Sequence, residues 1–120
     1  MPSKPPPPKH PVEMRVHKLQ FIGEQDGLPE QLLKDRLTEF FQRDKSVQKV
    51  YLAKITIGNE IGVALCLKSQ FGPDRGLAEK IGSIFKTIFN AREHLDILFL
   101  NRLQETQLAR VCGPFFEKAA

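Results

Sequence analysis

No stretch of this 120-residue chain approaches the roughly 20 consecutive apolar positions that a membrane-crossing helix needs, which excludes a helical membrane protein. Cysteine is scarce. Cys66 and Cys112 are far apart, so a disulfide scaffold is excluded and free thiols are expected, Cys66 within an apolar strand pattern as a small packing residue. The histidines, His10, His17 and His94, are dispersed in the same way, with neither paired-ligand spacing nor a carboxylate cluster, so no metal site and no cofactor are expected. Gly72, Gly76 and Gly82 do not make a phosphate cradle, because the Lys-Ser/Thr that follows a P-loop is missing after "GPDRG". The N-terminus "MPSKPPPPKHP" lacks the apolar stretch of a signal peptide, and a cytoplasmic protein is the default expectation.

Excess positive charge is also missing from most of the chain. The formal charge of +4 lies mainly in residues 1–20, where Lys4, Lys9, Arg15 and Lys18 face only Glu13. The other hundred residues carry 14 of the 18 basic and 13 of the 14 acidic groups. A duplex-binding domain concentrates lysine and arginine on its folded surface, so this distribution argues against a nucleic-acid partner.

What is present is enough for one hydrophobic core. A 120-residue chain that is 41% hydrophobic and 27% charged fits a single globular domain. Pro2, Pro5, Pro6, Pro7, Pro8 and Pro11 deprive the first residues of backbone donors, and residues 1–13 are expected to form a flexible, polyproline-like tail ahead of a domain over residues 14–120. "MRVHKLQFI" is compatible with a strand that sets His17, Leu19 and Phe21 on one face. Leu33, Leu37, Phe40 and Phe41 then recur at helical spacing, with Glu30, Lys34, Asp35, Glu39 and Arg43 mostly on the solvated side. "VQKVYLAKITI" and "IGVALCLK" predict a hairpin around Gly58, Asn59 and Glu60. A three-residue loop would gather Tyr51, Ala53, Ile55, Ile57, Ile61, Val63, Leu65 and Leu67 on one face, and burial favours it over a two-residue turn. Leu77, Ile81, Ile84, Phe85, Ile88 and Phe89 predict a second core helix, capped by Asp74, in which Gly82 would permit close approach to the sheet. "HLDILFL" predicts a last strand, apolar on both faces and so either inside the sheet or beneath another element. A short helix follows and ends at Gly113-Pro114.

This order, β-α-β-β-α-β plus a short helix, predicts an α+β two-layer sandwich of ferredoxin-like order with a mainly antiparallel sheet and the first and third strands central. The polar character of residues 14–22 resists a central place for the first strand, and the competing arrangement sets it at an edge beside a three-stranded main sheet.

Taken together, "LPEQLLKDRLTEFF", "VQKVYLAKI" and the terminal "GPFFEK" resemble the C-terminal domain of the bacterial enhanced serine sensitivity protein SseB, over about residues 27 to 118. The resemblance implies a bacterial cytosolic protein with no established catalytic activity or cofactor, and it transfers no active-site residues. It also implies a further domain ahead of this one in fuller members, so that the proline-rich segment is expected to be the remnant of a linker.

Catalysis by Cys66 or Cys112 with His17 or His94 would need a base within hydrogen-bond reach, which no spacing in the sequence provides. The expected role is therefore a non-catalytic protein-interaction module, with a protein partner or a second copy of the chain as ligand. The serine-related family name keeps a metabolite-binding regulator or enzyme as the alternative. The predicted contact face consists of Val50, Leu52, Lys54, Ala64, Cys66 and Lys68, opposite the helices, or the adjacent sheet edge. Phe115 and Phe116 are expected to anchor the C-terminal segment, since burying one phenylalanine contributes about 1.5–3 kcal/mol.

Overall fold

The computed structural model describes residues 19–90 and 93–118, so the expected tail, His10 and His17 lie outside the described residues. Strand β1 spans Leu19–Glu24, helix α1 Leu28–Arg43, β2 Val47–Ile57, β3 Glu60–Ser69, α2 Arg75–Lys86, β4 Asp96–Phe99, α3 Arg102–Ala109 and β5 Phe116–Glu117. The chain is α+β with a mixed, mostly antiparallel sheet of five strands.

Along the chain the elements follow the expected order, but the sheet is not arranged as in a ferredoxin-like fold. Its order is β1-β2-β3-β4, and β5 also pairs with β2. The central strands are β2 and β3, and β1 is an edge. The reason lies in burial: β1 alternates half-buried and exposed residues, whereas β2 and β3 each contain four consecutive buried positions and need cover on both faces. Eleven-residue β2 has room for two short neighbours on one side. β1 pairs with its Ala53–Ile57 half, and β5 pairs at Lys49 and Val50.

The hairpin corrects the expected register. Its turn has two central residues, Gly58 and Asn59, and Ile57 faces Glu60. Only Gly58 has positive φ, at 62°, which is the type II′ pattern that takes glycine first. The three-residue loop would have optimised one buried face, but both faces are covered. In the observed register Leu52 pairs with Leu65, Val50 with Leu67, Tyr51 with Cys66 and Ala53 with Ala64. The mismatch of Ile61 with Thr56 falls at the hairpin tip, where Ile61 is exposed.

Sidedness is reversed for β2 and kept for β3, where Val63, Leu65 and Leu67 face the two longer helices and Ala64 and Cys66 face away, as expected. The large aliphatics Val50, Leu52, Leu65 and Leu67 share a core with Leu33, Leu37 and Phe41 of α1 and Leu77, Ile81 and Phe85 of α2. Tyr51, Ala53, Ile55, Ala64 and Cys66 turn the other way, against Leu108 of α3 and Cys112. Small side chains at 53, 64 and 66 leave space for α3 and the turn after it to settle closely on that face, while the two longer helices need the bulk on theirs. A third, partial layer thus replaces the expected open side of a two-layer sandwich.

Local chemistry sets the element ends. Pro29 occupies the first turn of α1, where its missing N–H costs nothing. Asp74 caps α2 by accepting from Leu77 N at 3.1 Å, as its position predicts. α3 starts with a reciprocal cap: Gln104 N donates to Asn101 Oδ1 at 2.7 Å, and Asn101 N donates to Gln104 Oε1 at 3.0 Å. Two expectations fail here. Lys34 is buried, not solvated, with Nζ 2.9 Å from Glu24 Oε2 and 3.6 Å from Asp26 Oδ1. A side chain at Gly82 would meet nothing within 4 Å, so Gly82 makes no close approach to the sheet.

Candidate functional site

The six side chains expected to form one exposed face do not share one. Val50 and Leu52 lie beneath α1 and α2 at 0% and 1% exposure, and Ala64 and Cys66 lie on the opposite face, both at 0%. Lys54 is exposed, and Lys68 is half-buried with Nζ 3.1 Å from Glu105 Oε1 of α3. The two-residue turn causes this split, because it pairs residues 50 and 52 with 67 and 65 where a three-residue loop would pair them with 68 and 66.

The cysteines are equally removed from solvent. Burial, with a smaller contribution from nearby Cys112, pushes the Cys66 thiol up to about 12. Cys112 is pushed up to about 11 by burial and by Glu24, against an opposing effect of Lys34. The thiolate is the nucleophile, and at neutral pH such groups hold on the order of one part in ten thousand of it or less. Cys112 Sγ donates to the Leu52 carbonyl at 3.6 Å, and Cys66 Sγ to the Ala64 carbonyl at 3.9 Å, both as protonated donors. His94 is engaged elsewhere, with Nε2 2.8 Å from Asp96 Oδ1. Among the described residues no hydrogen bond joins a cysteine to a histidine, and the nucleophile–base pair considered from the sequence is not assembled.

The adjacent sheet edge has a different character. β4 runs parallel to β3, from Asp96 opposite Ala64 to Phe99 opposite Leu67, and no described strand pairs with its outer side. Leu100 N donates to Leu67 O at 2.8 Å. Backbone direction alternates along a strand, so Asp96 and Leu98 also turn their amides toward β3 while Ile97 and Phe99 turn theirs outward. Both faces of the strand are apolar: Leu95, Ile97 and Phe99 pack toward the core under α1 and α2, and Leu98 and Leu100 toward that under α3. All six residues from Leu95 to Leu100 are half-buried. This edge lacks the usual guards against further pairing, having no proline, no bulge and one charged residue, Asp96. β1, at the other edge, has a register shift between Phe21 and Gly23. Such a bulge bends the strand and interrupts its pairing surface.

Beside the start of β4, toward β3 and β2, lies a cleft of about 250 Å³ with apolar walls from Ile55, Ile57 and Ile61 and polar groups from Glu60, His94 and Asp96. Gly62 helps to keep it open, because a Cβ there would stand 3.7 Å from Asp96 Oδ2 and 3.9 Å from Ile55 Cγ1. An extended peptide placed along β4 would find backbone partners at Ile97 and Phe99 and a pocket beside the strand's first residue. The two-sided apolar character of this strand is legible in the sequence, and the sheet edge is the alternative contact expected there. Which strand lacks a neighbour is not a local property of the chain, whereas the His94–Asp96 pairing has a local signal, since i and i+2 residues of an extended segment face the same way.

No group of His, Cys, Asp and Glu side chains suited to hold a metal ion occurs among the described residues. No curated protein and no solved structure matches the chain. The family model of the SseB protein C-terminal domain matches residues 18–118, which includes every described element and extends the resemblance seen in the sequence to β1. The chain therefore belongs to the SseB C-terminal domain family.

Proposed function

We propose that the chain is a non-catalytic protein-interaction module of the bacterial cytosol, and that it adds an extended segment of a partner protein to the free edge of β4. One observation carries this reading: β4 is an edge strand, apolar on both faces, whose outward amides at Ile97 and Phe99 have no described partner strand. Strand addition draws its affinity from main-chain hydrogen bonds and its specificity from pockets for alternate side chains, a part the Ile55–Ile57–Ile61 cleft can play. The raised thiols support the non-catalytic half of the proposal. The cytosolic half is supported by the family resemblance. No helix among the described residues is long and apolar enough to cross a membrane.

The test separates backbone from side chain. Ile97→Ala and Ile97→Pro both remove packing, but only the proline also removes the outward N–H. Photo-crosslinking in cells from a reactive residue at position 99, with sedimentation of the purified chain to detect self-association, should show a complex that survives Ile97→Ala and is lost with Ile97→Pro. Equal capture by both folded variants would refute pairing at β4.

A further inference from the structure

At the end of the sheet away from the Gly58-Asn59 turn, three separate segments enclose a second cleft, of about 360 Å³. Lys45, Gln48 and Lys49 come from the loop and start of β2, Lys68 from the end of β3, and Glu117 and Lys118 from the end of β5. Its walls are held by backbone bonds. Gln70 N donates to Ser46 O at 2.7 Å, and Lys118 N donates to Gln48 O at 2.8 Å. The Asp44 carboxylate fixes the loop by accepting from Ser46 N at 2.8 Å and Val47 N at 3.1 Å.

Four lysines are gathered here, in a domain whose charges are otherwise nearly balanced. Lys68 Nζ is 3.1 Å from Glu105, and Lys49 Nζ is 3.8 Å from Glu117 and 4.0 Å from Glu105. Lys118 Nζ donates to the Asp44 carbonyl, a neutral partner. Lys45 makes no ion pair with any described carboxylate. With Glu105, Glu117 and the Asp44 carboxylate, which also attracts Lys118, set against the four lysines, the cleft and its flanks keep a net charge of +1.

We propose that this cleft is a binding site for a compact phosphoanion, a free diphosphate or the diphosphate end of a small phosphorylated molecule. Ammonium groups from three segments converge on a space of small-ligand size, where a multivalent anion can meet several of them at once. Such an anion takes the place of Glu117, whose side chain is 60% exposed and free to swing out. A long polyanion fits poorly, because the carboxylates of Glu105 and Glu117 stand beside these lysines.

The test is calorimetric titration of the full chain at physiological ionic strength with inorganic pyrophosphate, ADP, an acidic peptide and a single-stranded oligonucleotide. Amide NMR shifts locate the contact. Pyrophosphate should perturb residues 45–49, 68–70 and 117–118. ADP binding as tightly as pyrophosphate would extend the ligand to phosphorylated small molecules, and pyrophosphate alone would confine it to the free anion. Lys45→Gln should weaken binding about five- to tenfold and Glu117→Gln should strengthen it about threefold, as expected for charge-assisted contacts. Lys80→Gln makes the same charge change in a different cleft and should leave binding unaltered. The proposal is overturned by no heat and no shifts at millimolar pyrophosphate, or by shifts centred elsewhere. Equal weakening by Lys80→Gln, or tighter binding of the peptide or oligonucleotide, would also overturn it.

Discussion

The ring of Phe116 lies 5.8 Å, centroid to centroid, from that of Phe41, tilted by 41°, and so joins the C-terminal segment to the last turn of α1. Phe116 is 7% exposed, and its strand is tied to β2 on both sides by Phe115 N to Val50 O at 2.9 Å and Lys118 N to Gln48 O at 2.8 Å. The adjacent phenylalanines after Gly113-Pro114 therefore complete a core, Phe116 within it and Phe115 packed against it. Phe116→Ala should cost about 3 kcal/mol, the usual scale for removing a buried aromatic. For a domain of this size thermal melting should fall by roughly 10–20 °C. Truncation after Gly113 should do at least as much damage. A truncated chain of unchanged melting temperature that no longer binds a partner would instead make the segment a ligand.

Gly58 and Asn59 make unequal demands at the hairpin tip. Gly58 has φ of 62°, and no non-glycine described residue has positive φ. Gly58→Ala should destabilise by about 1–2 kcal/mol through left-handed strain, although nothing lies within 4 Å of the added Cβ. Asn59→Ala should be nearly neutral. Denaturant titration of the two variants checks the contrast, and equal losses would argue against the two-residue turn.

Lys34 is the one buried charged residue among those described, with 7% of its side chain exposed, and its partner Glu24 is 46% exposed. Replacing a buried ion by an apolar residue of similar shape is often neutral or stabilising, whereas stripping its counter-ion leaves an unpaired charge. Lys34→Met should thus leave stability within about 1 kcal/mol of the parent chain. Glu24→Gln should lower it by more, with Asp26 at 3.6 Å softening the loss. A Lys34→Met variant markedly less stable than Glu24→Gln would contradict this ordering.

Burial raises both thiols above the usual cysteine range, to about 12 for Cys66 and about 11 for Cys112. A thiol-directed reagent at pH 7.5 should modify the folded chain at the rate at which it opens, far more slowly than an unfolded control. The same shifts set a pH dependence. Protons are held more tightly in the folded state, so the contribution is complete below the ordinary value of 9 and declines as pH rises through 11 and 12. Cys66→Ala with Cys112→Ser should flatten that alkaline decline. Rapid labelling of the native protein at neutral pH would reopen the question of a nucleophile.

Much of the element structure was legible from spacing alone. Leu33, Leu37 and Phe41, and Leu77, Ile81 and Phe85, identify helices because a 3.6-residue period leaves a stripe that must be buried somewhere. The Asp74 cap could be read because it depends on neighbours within a few residues; the last helix instead ends at Ala109 with Arg110 as its cap, four residues before the Gly113 expected to stop it, and Gly113 has no positive φ. The predicted contact face could not, because Val50, Leu52, Ala64 and Cys66 are all compatible with either side of a strand. The burial of Lys34 is hidden from spacing for a related reason: its partner is ten residues away in another element.

The sequence by itself determined the number, order and approximate bounds of the helices and main strands, since propensity, periodicity and capping are local properties of the chain. Only the tertiary structure decided that β1 lies at an edge, that α3 covers the second face, and that the hairpin turns on two residues. A strand covered on both sides has no polar face to reveal its register. The choice then rests on which side chains pack against which helix, an energy shared among segments as distant as Val50, Phe41 and Phe116.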